Sequence, residues 1–354
     1  MLEEWHGRHP ASCLSAARLS NLMNTLAKWL PWPLLAATLA LAPAQRPVPA
    51  APAPAAAHAR QIAITIDDLP VASVLPAEFG KQLQVTVALV GALQAHRVPA
   101  IGFVNESKLL DNGMSEAQGT RLLRTWVTAG MELGNHTYSH ADLHKTPLPE
   151  MQTQVIQGER VTKAVLEGAG KKLQFFRHPY LHTGLTPDIR RQFEAFLTSR
   201  GYRVAPVTVD NYDYVFAAAL DRAVSKGDSA LQAKLLAEYP LYMERVVAYY
   251  EQQATALFGR DIRQTLLIHA SALNARAFNA LATMLERRGY SFISLEQALG
   301  DAAYKTPDTY AGAGGISWIH RWALTAGRTK PFFDGEPVVP EWVTAASQVT
   351  PAAK

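Results

Sequence analysis

From residue 61 to residue 294, short β-branched runs alternate with segments of helical spacing, and that alternation leaves few architectures open to this chain. Gln61-Ile62-Ala63-Ile64-Thr65-Ile66 reads as a buried strand, because an apolar, β-branched run without a polar face fits a strand covered on both sides. Further strands are expected at 100–104, 131–135, 172–176, 203–209, 265–268 and 291–294. Between them, helices are expected at 83–96, 115–129, 149–169, 187–200, 220–257 and 274–288. Strand, helix, strand in this rhythm means right-handed crossovers and a parallel sheet, open or closed into a barrel. Reactive groups in such folds collect at the C-terminal ends of the strands, where loops are free to carry them. Asp67 and Asp68, His136, Arg177, Asp210 with Asp213, and His269 all fall at such ends.

Composition narrows the chemistry. With 354 residues, 48% of them hydrophobic, the chain can build one large core or two small ones, which excludes disordered and collagen-like classes. Its one cysteine, Cys13, lies far upstream of the alternating region, so the folded body uses no thiolate nucleophile, no cysteine metal site and no disulfide. The 34 Lys and Arg against 30 Asp and Glu leave a net charge of +4 without a basic run, and no nucleic-acid partner is expected.

The first 60 residues read as targeting sequence. From Met23 the chain carries Lys28, an apolar stretch from Trp29 to Leu41, and Ala42-Pro43-Ala44, which is the pattern of a cleaved signal peptide at 23–44. The apolar stretch is shorter than the roughly 20 residues needed to span a bilayer and contains Pro31 and Pro33, so cleavage is preferred to anchoring and no stable membrane span is expected. Residues 1–22 read as a prefix from a mis-set start, and 45–60 as a Pro/Ala-rich linker. The protein is expected to be secreted or periplasmic.

Asp67-Asp68 can be read as a turn or helix cap, yet two like charges at a strand end call for a cation or an arginine to offset them. Neighbouring side chains of an extended chain diverge, so one carboxylate can ligate while the other acts as a base. His136 and His140 stand four apart; on a helical turn both imidazoles would share a face within reach of one divalent ion. Two histidines and one Asp would leave a coordination position for water, and His144 continues the series as an alternative ligand. Arg177 reads either as a surface residue or as a buried partner that keeps a carboxylate ionised. His269 reads either as a core histidine or, with Asp210 or Asp213 orienting it, as an acid.

In their order along the chain these residues resemble the polysaccharide deacetylases that carry a NodB-homology domain, carbohydrate esterase family four. Thr65-Ile66-Asp67-Asp68-Leu69-Pro70 is similar to T-F-D-D-G-P, His136 to His140 to H-[ST]-x-x-H, and Arg177-His178-Pro179-Tyr180 to R-x-P-[YF]. Asp210 to Tyr214 is similar to D-x-x-D-W, and Leu267-Ile268-His269 to L-x-H. The resemblance covers about residues 61–300, with a helical insertion at about 215–260 and a C-terminal extension at 301–354. It implies a distorted (β/α)7 barrel and a divalent metal, most often zinc, on Asp68, His136 and His140. It further implies Asp67 as base, Arg177 keeping Asp67 ionised, His269 as acid and Asp213 tuning it. Tyr214 and Leu267 would wall the acetyl pocket, and the backbone N–H of Tyr180 would help hold the oxyanion. The implied activity is removal of N-acetyl, or less often O-acetyl, groups from a cell-wall or extracellular glycan. A small cyclic amide or ureide as substrate, and a glycan-binding protein without turnover, are the alternatives.

Departures from the pattern carry expectations of their own. Leu69 stands where the family has Gly and would narrow the approach to the metal. Tyr214 replaces Trp, and the aromatic stretch from Tyr239 to Tyr250 would form a groove edge or lid. His178 and His182 are expected to be solvated or to support the ligands, and Trp318 and Trp322 to pack a loop or stack on sugar.

Overall fold

A computed structural model describes residues 60–351. The leader, the prefix, Cys13 and nearly all of the linker lie outside the described residues. Strand β1 (Arg60–Leu69) is the centre of the sheet, flanked by β2 (Ile101–Val104) on one side and β6 (Gln264–His269) on the other. Beyond β2 come β3 (Glu132–Asn135), β4 (Phe175–Phe176) and β5 (Arg203–Val204), while β7 (Tyr290–Phe292) pairs with the first residues of β1. Every pairing is parallel. The chain after β5 closes the ring: Ala205 N–H donates to Phe176 O, and Val209 bridges Leu266 of β6. The result is the parallel α/β sheet that the alternation predicts, in the distorted (β/α)7 barrel form that the resemblance implies.

Helices α1 (Phe79–Ala95), α2 (Glu116–Thr128), α3 (Leu148–Gln157), α4 (Arg160–Glu167), α5 (Pro187–Ser199), α6 (Asp213–Ser225), α7 (Ser229–Phe258) and α8 (Ala272–Arg287) cover the sheet. Their starts are encoded locally. Ser115 and Gln118 form a reciprocal capping box on α2, and Thr186, Asp228 and Ser271 cap α5, α7 and α8 by accepting a backbone N–H. The helix expected at 149–169 is two, because the chain breaks at Gly158, where a Cβ would come 2.7 Å from the backbone of Thr137.

Ile62, Ile64 and Ile66 of β1 are fully buried. Burial of each such side chain stabilises the fold by about 1.5–3 kcal/mol, which fixes this strand in the middle of the sheet and its C-terminal carboxylates above the core. The aromatic stretch of α7 is scaffold rather than lid, contrary to the sequence expectation: Tyr239, Tyr242 and Tyr250 are fully buried, and Tyr239 Oη donates to Asn274 Oδ1 at 2.8 Å. Leu69 likewise corrects the expectation of a narrowed approach. It is fully buried and packs against β2, where a Cβ on Gly102 would lie 2.5 Å from its Cδ2. After β7 come α9 (Leu295–Leu299), α10 (Trp318–Thr325), α11 (Lys330–Phe333) and α12 (Glu341–Ser347). Trp318 and Trp322 of α10 are buried, so they pack the extension and stack on no sugar. Among the described residues no helix is long and apolar enough to cross a membrane.

Candidate active site

Asp67 and Asp68 lie at the end of β1, where Asp68 stands in the left-handed region at φ 70°. Both carboxylates reach the same imidazole: Asp67 Oδ2 lies 3.8 Å and Asp68 Oδ1 3.6 Å from His136 Nε2. Asp67 is buried and paired in register with His269 at the end of β6.

Arg177 follows β4 and is fully buried, which settles its two sequence readings in favour of the internal one. Its Nη1 lies 3.3 Å from both oxygens of Asp67, Nη2 donates to Thr65 Oγ1 at 2.9 Å, and Nε donates to Ala205 O at 2.8 Å. The guanidinium also covers the Phe103 ring at 4.7 Å. Burial pushes the Asp67 carboxyl up to about 6, a rise that Arg177 and His269 restrain by their charge.

His136 follows β3, and its Nδ1 lies 2.8 Å from Arg177 O. A carbonyl only accepts, so Nδ1 carries the proton and the lone pair of Nε2 faces Asp68 Oδ1 at 3.6 Å. His140 Nε2 lies 3.4 Å from the same oxygen. The two rings do not meet through a helical turn, as the i, i+4 spacing predicts. Residues 136–140 form a loop in which Thr137 and His140 are left-handed, at φ 66° and 58°. That loop is held from a distance: Asn105 Nδ2 donates to His136 O at 2.6 Å, and Gln154 Oε1 accepts from the N–H of Ser139 at 2.9 Å.

Asp68, His136 and His140 thus bring one donor atom each within 4.8 Å of one another. Asp68 Oδ1 is buried without a hydrogen-bond partner, while burial pushes both imidazoles down and keeps them neutral. A partnerless carboxylate oxygen facing two neutral imidazole nitrogens is a donor set that fits a divalent cation. Burial works against the charge on Asp68, but Lys108 and the histidines hold it well below the usual carboxylate range.

His269 is gripped from behind. Its Nδ1 lies 2.7 Å from Asp213 Oδ1, its N–H donates to Asp213 Oδ2 at 2.8 Å, and Asn274 Nδ2 donates to the same oxygen at 2.7 Å. Burial disfavours the imidazolium, yet the fully buried Asp213 outweighs it, with Asp68 and Asp67 adding to the effect, and the pKa is pushed up to about 9.

Of the residues singled out in the sequence, Asp67, Asp68, His136, His140, Tyr180, Tyr214, Leu267 and His269 line one cavity of about 630 Å³. Arg177 and Asp213 stand behind its wall. Tyr180 is left-handed at φ 57°, and its exposed ring meets His140 edge-on at 4.5 Å. Tyr214 faces His269 at 6.1 Å. His178 is buried against Phe176 and Phe193 rather than solvated. His144 is not beside Asp68: it stacks on His182 at 3.8 Å and accepts from Gly184 N–H. Sequence reasoning missed Lys108, whose Nζ lies 3.2 Å from Asp68 Oδ2, although its place just past β2 fits the strand-end rule. It also missed Asn105 and Asn274, for which the local sequence holds no signal.

Residues 55–197 match the family model described as polysaccharide deacetylase. A peptidoglycan-N-acetylglucosamine deacetylase of Bacillus cereus is 25% identical over 154 residues, 44% of this chain and 46% of that protein, so the match spans about half the relative's length. Among solved structures, a family 4 carbohydrate esterase from Streptomyces lividans is 21% identical over 68% of this chain and 95% of its own, at a TM-score of 0.41. A peptidoglycan deacetylase from Bacillus subtilis is 19% identical over 68% and 90%, at 0.40, and a family pseudoenzyme from Bacillus anthracis 18% identical over 68% and 66%, at 0.44. Over residues 55–197 the chain is therefore similar to polysaccharide deacetylases.

Proposed function

We propose that this protein is a metal-dependent hydrolase that removes N-acetyl, or less often O-acetyl, groups from a cell-wall or extracellular polysaccharide. The observation that carries the reading is the pairing of opposites around one cavity. Arg177 favours an ionised Asp67 on one side, Asp213 favours a protonated His269 on the other, and the Asp68, His136 and His140 donors lie between. Asp68, His136 and His140 would hold a divalent cation, zinc by this reading, which would supply Lewis-acid polarisation of the acetyl carbonyl and a lowered pKa for water.

Asp67, with a pKa near 6, is mostly ionised at neutral pH and takes a proton from the attacking water as its oxygen bonds to the carbonyl carbon. His269, with a pKa near 9, is protonated at the same pH and gives its Nε2 proton to the nitrogen as the carbon–nitrogen bond breaks. Acetate and a free amine leave, and proton exchange with solvent resets both residues. The backbone N–H of Tyr180 donates to the developing oxyanion, and Leu267 with the Tyr214 ring encloses the acetyl methyl. The segment 23–44, read as a signal peptide, supports action outside the cytoplasm, where such glycans lie.

The test is acetate release by metal-loaded protein from N-acetylglucosamine oligomers, peptidoglycan and acetylated xylan, with His136→Ala as the blank. Release that depends on His136 is expected. Absence of release from all three substrates overturns the reading.

A further inference from the structure

A second cavity, of about 330 Å³, adjoins the first and shares Asp68, Ala72, Tyr214 and His269 with it. Its far wall is formed by Ser73–Leu75, Lys108 and Asp221. Asp68 and His269 therefore sit at a seam between two cavities, and a glycan longer than the reacting unit could occupy both only by passing through that seam.

The end of the described chain crosses that seam. Val349 lines the smaller cavity and Thr350 the larger, so the peptide link between these neighbours passes from one to the other. The segment is anchored rather than trailing. Val339 and Val343 are buried, Arg222 Nε donates to Ser347 O at 2.7 Å, and Ser347 Oγ accepts from Val349 N–H at 3.0 Å. Between these bonds Gln348 adopts a left-handed turn at φ 52°, which ends α12 and redirects the backbone. Neither Val349 nor Thr350 carries a charge or a ring suited to gripping sugar. What they add is bulk at the junction.

We propose that Val349 and Thr350 set the length of substrate this site accepts: the strap bars a glycan from lying through both cavities and confines the enzyme to short acetylated oligosaccharides or chain ends. The inference rests on the deacetylase reading above. Its test compares three metal-loaded proteins: the full chain, a variant ending at Gln348, and Thr350→Trp, which adds bulk without removing chain. For each, kcat/KM for acetate release is measured on the N-acetylglucosamine dimer and hexamer, and calorimetry follows binding of both.

Opening the seam is expected to raise the hexamer-to-dimer ratio about tenfold or more, which corresponds to about 1.4 kcal/mol of added binding, while the dimer changes little. Thr350→Trp is expected to lower that ratio below that of the full chain. A ratio unchanged in both variants, with acetate still released, overturns the strap and leaves the deacetylase reading intact. Neither release nor binding of either sugar by any of the proteins overturns that reading and the strap with it. Equal thermal midpoints for the three proteins exclude a folding effect.

Discussion

Replacing Asp213 with Asn keeps the shape of the group behind His269 and removes its charge. Both carboxylate oxygens are acceptors: Oδ2 takes the N–H of His269 and the amide of Asn274, and Oδ1 faces His269 Nδ1 at 2.7 Å. An amide must turn its NH2 toward one of these sides. Only Nδ1 can give up a proton to become an acceptor, so the variant selects the neutral ring. The imidazole then loses the interaction that outweighs burial, and its pKa falls from about 9 to 6.5 or lower. At pH 8 the protonated fraction drops from about 0.9 to about 0.03, a loss of about thirtyfold in any step that needs the acid. The deficit narrows as the pH is lowered toward 6, where the wild-type and variant rings are both largely charged. The assay pairs acetate release across pH 6–9 with an NMR titration of the His269 ring in the same metal state. A ring pKa unchanged by the substitution, or one fold-loss at every pH, refutes the reasoning.

Three further outcomes follow from the same contacts. Arg177→Met leaves Asp67 buried without its partner and is expected to destabilise the protein by about 3–5 kcal/mol in denaturant titrations of metal-free protein. His178 is buried neutral, and burial with Arg321 and Arg190 pushes its pKa down to about 3. Because the folded value lies below the unfolded one, the stability it confers is present above pH 6.5 and is lost as the pH falls toward 3, by up to about 5 kcal/mol. His178→Phe is accordingly expected to flatten the acid limb of stability against pH, read as urea midpoints between pH 7 and 4. A Cβ on Gly315 would lie 1.8 Å from the carbonyl oxygen of Tyr180, so Gly315→Ala must displace the Tyr180 loop. Its expected cost is about 1–3 kcal/mol by thermal unfolding, with a raised KM for acetate release, and an unchanged KM would mean the loop does not touch substrate.

The sequence by itself determined the layout of the barrel and the address of its reactive groups. A β-branched run such as 61–66 is local chemistry, and a parallel sheet puts whatever follows each run on one rim, so Asp67, Asp68, His136, Arg177 and His269 were legible as neighbours. Tertiary structure decided how they face one another. The His136 and His140 rings converge through left-handed residues held by Asn105 and Gln154, not through the helical turn their spacing suggests. Leu69 and the tyrosines of α7 are core rather than gatekeepers, because elements distant in sequence cover them. Likewise, nothing around Val349 announces that it meets the rim formed by β1 and β6; that depends on α12 docking through Val343 and Arg222. Periodicity fixes which residues end a strand, since it is a property of neighbours in the chain. Side-chain direction in the connecting loops is fixed by bonds to residues dozens to hundreds of positions away, and no local pattern encodes those.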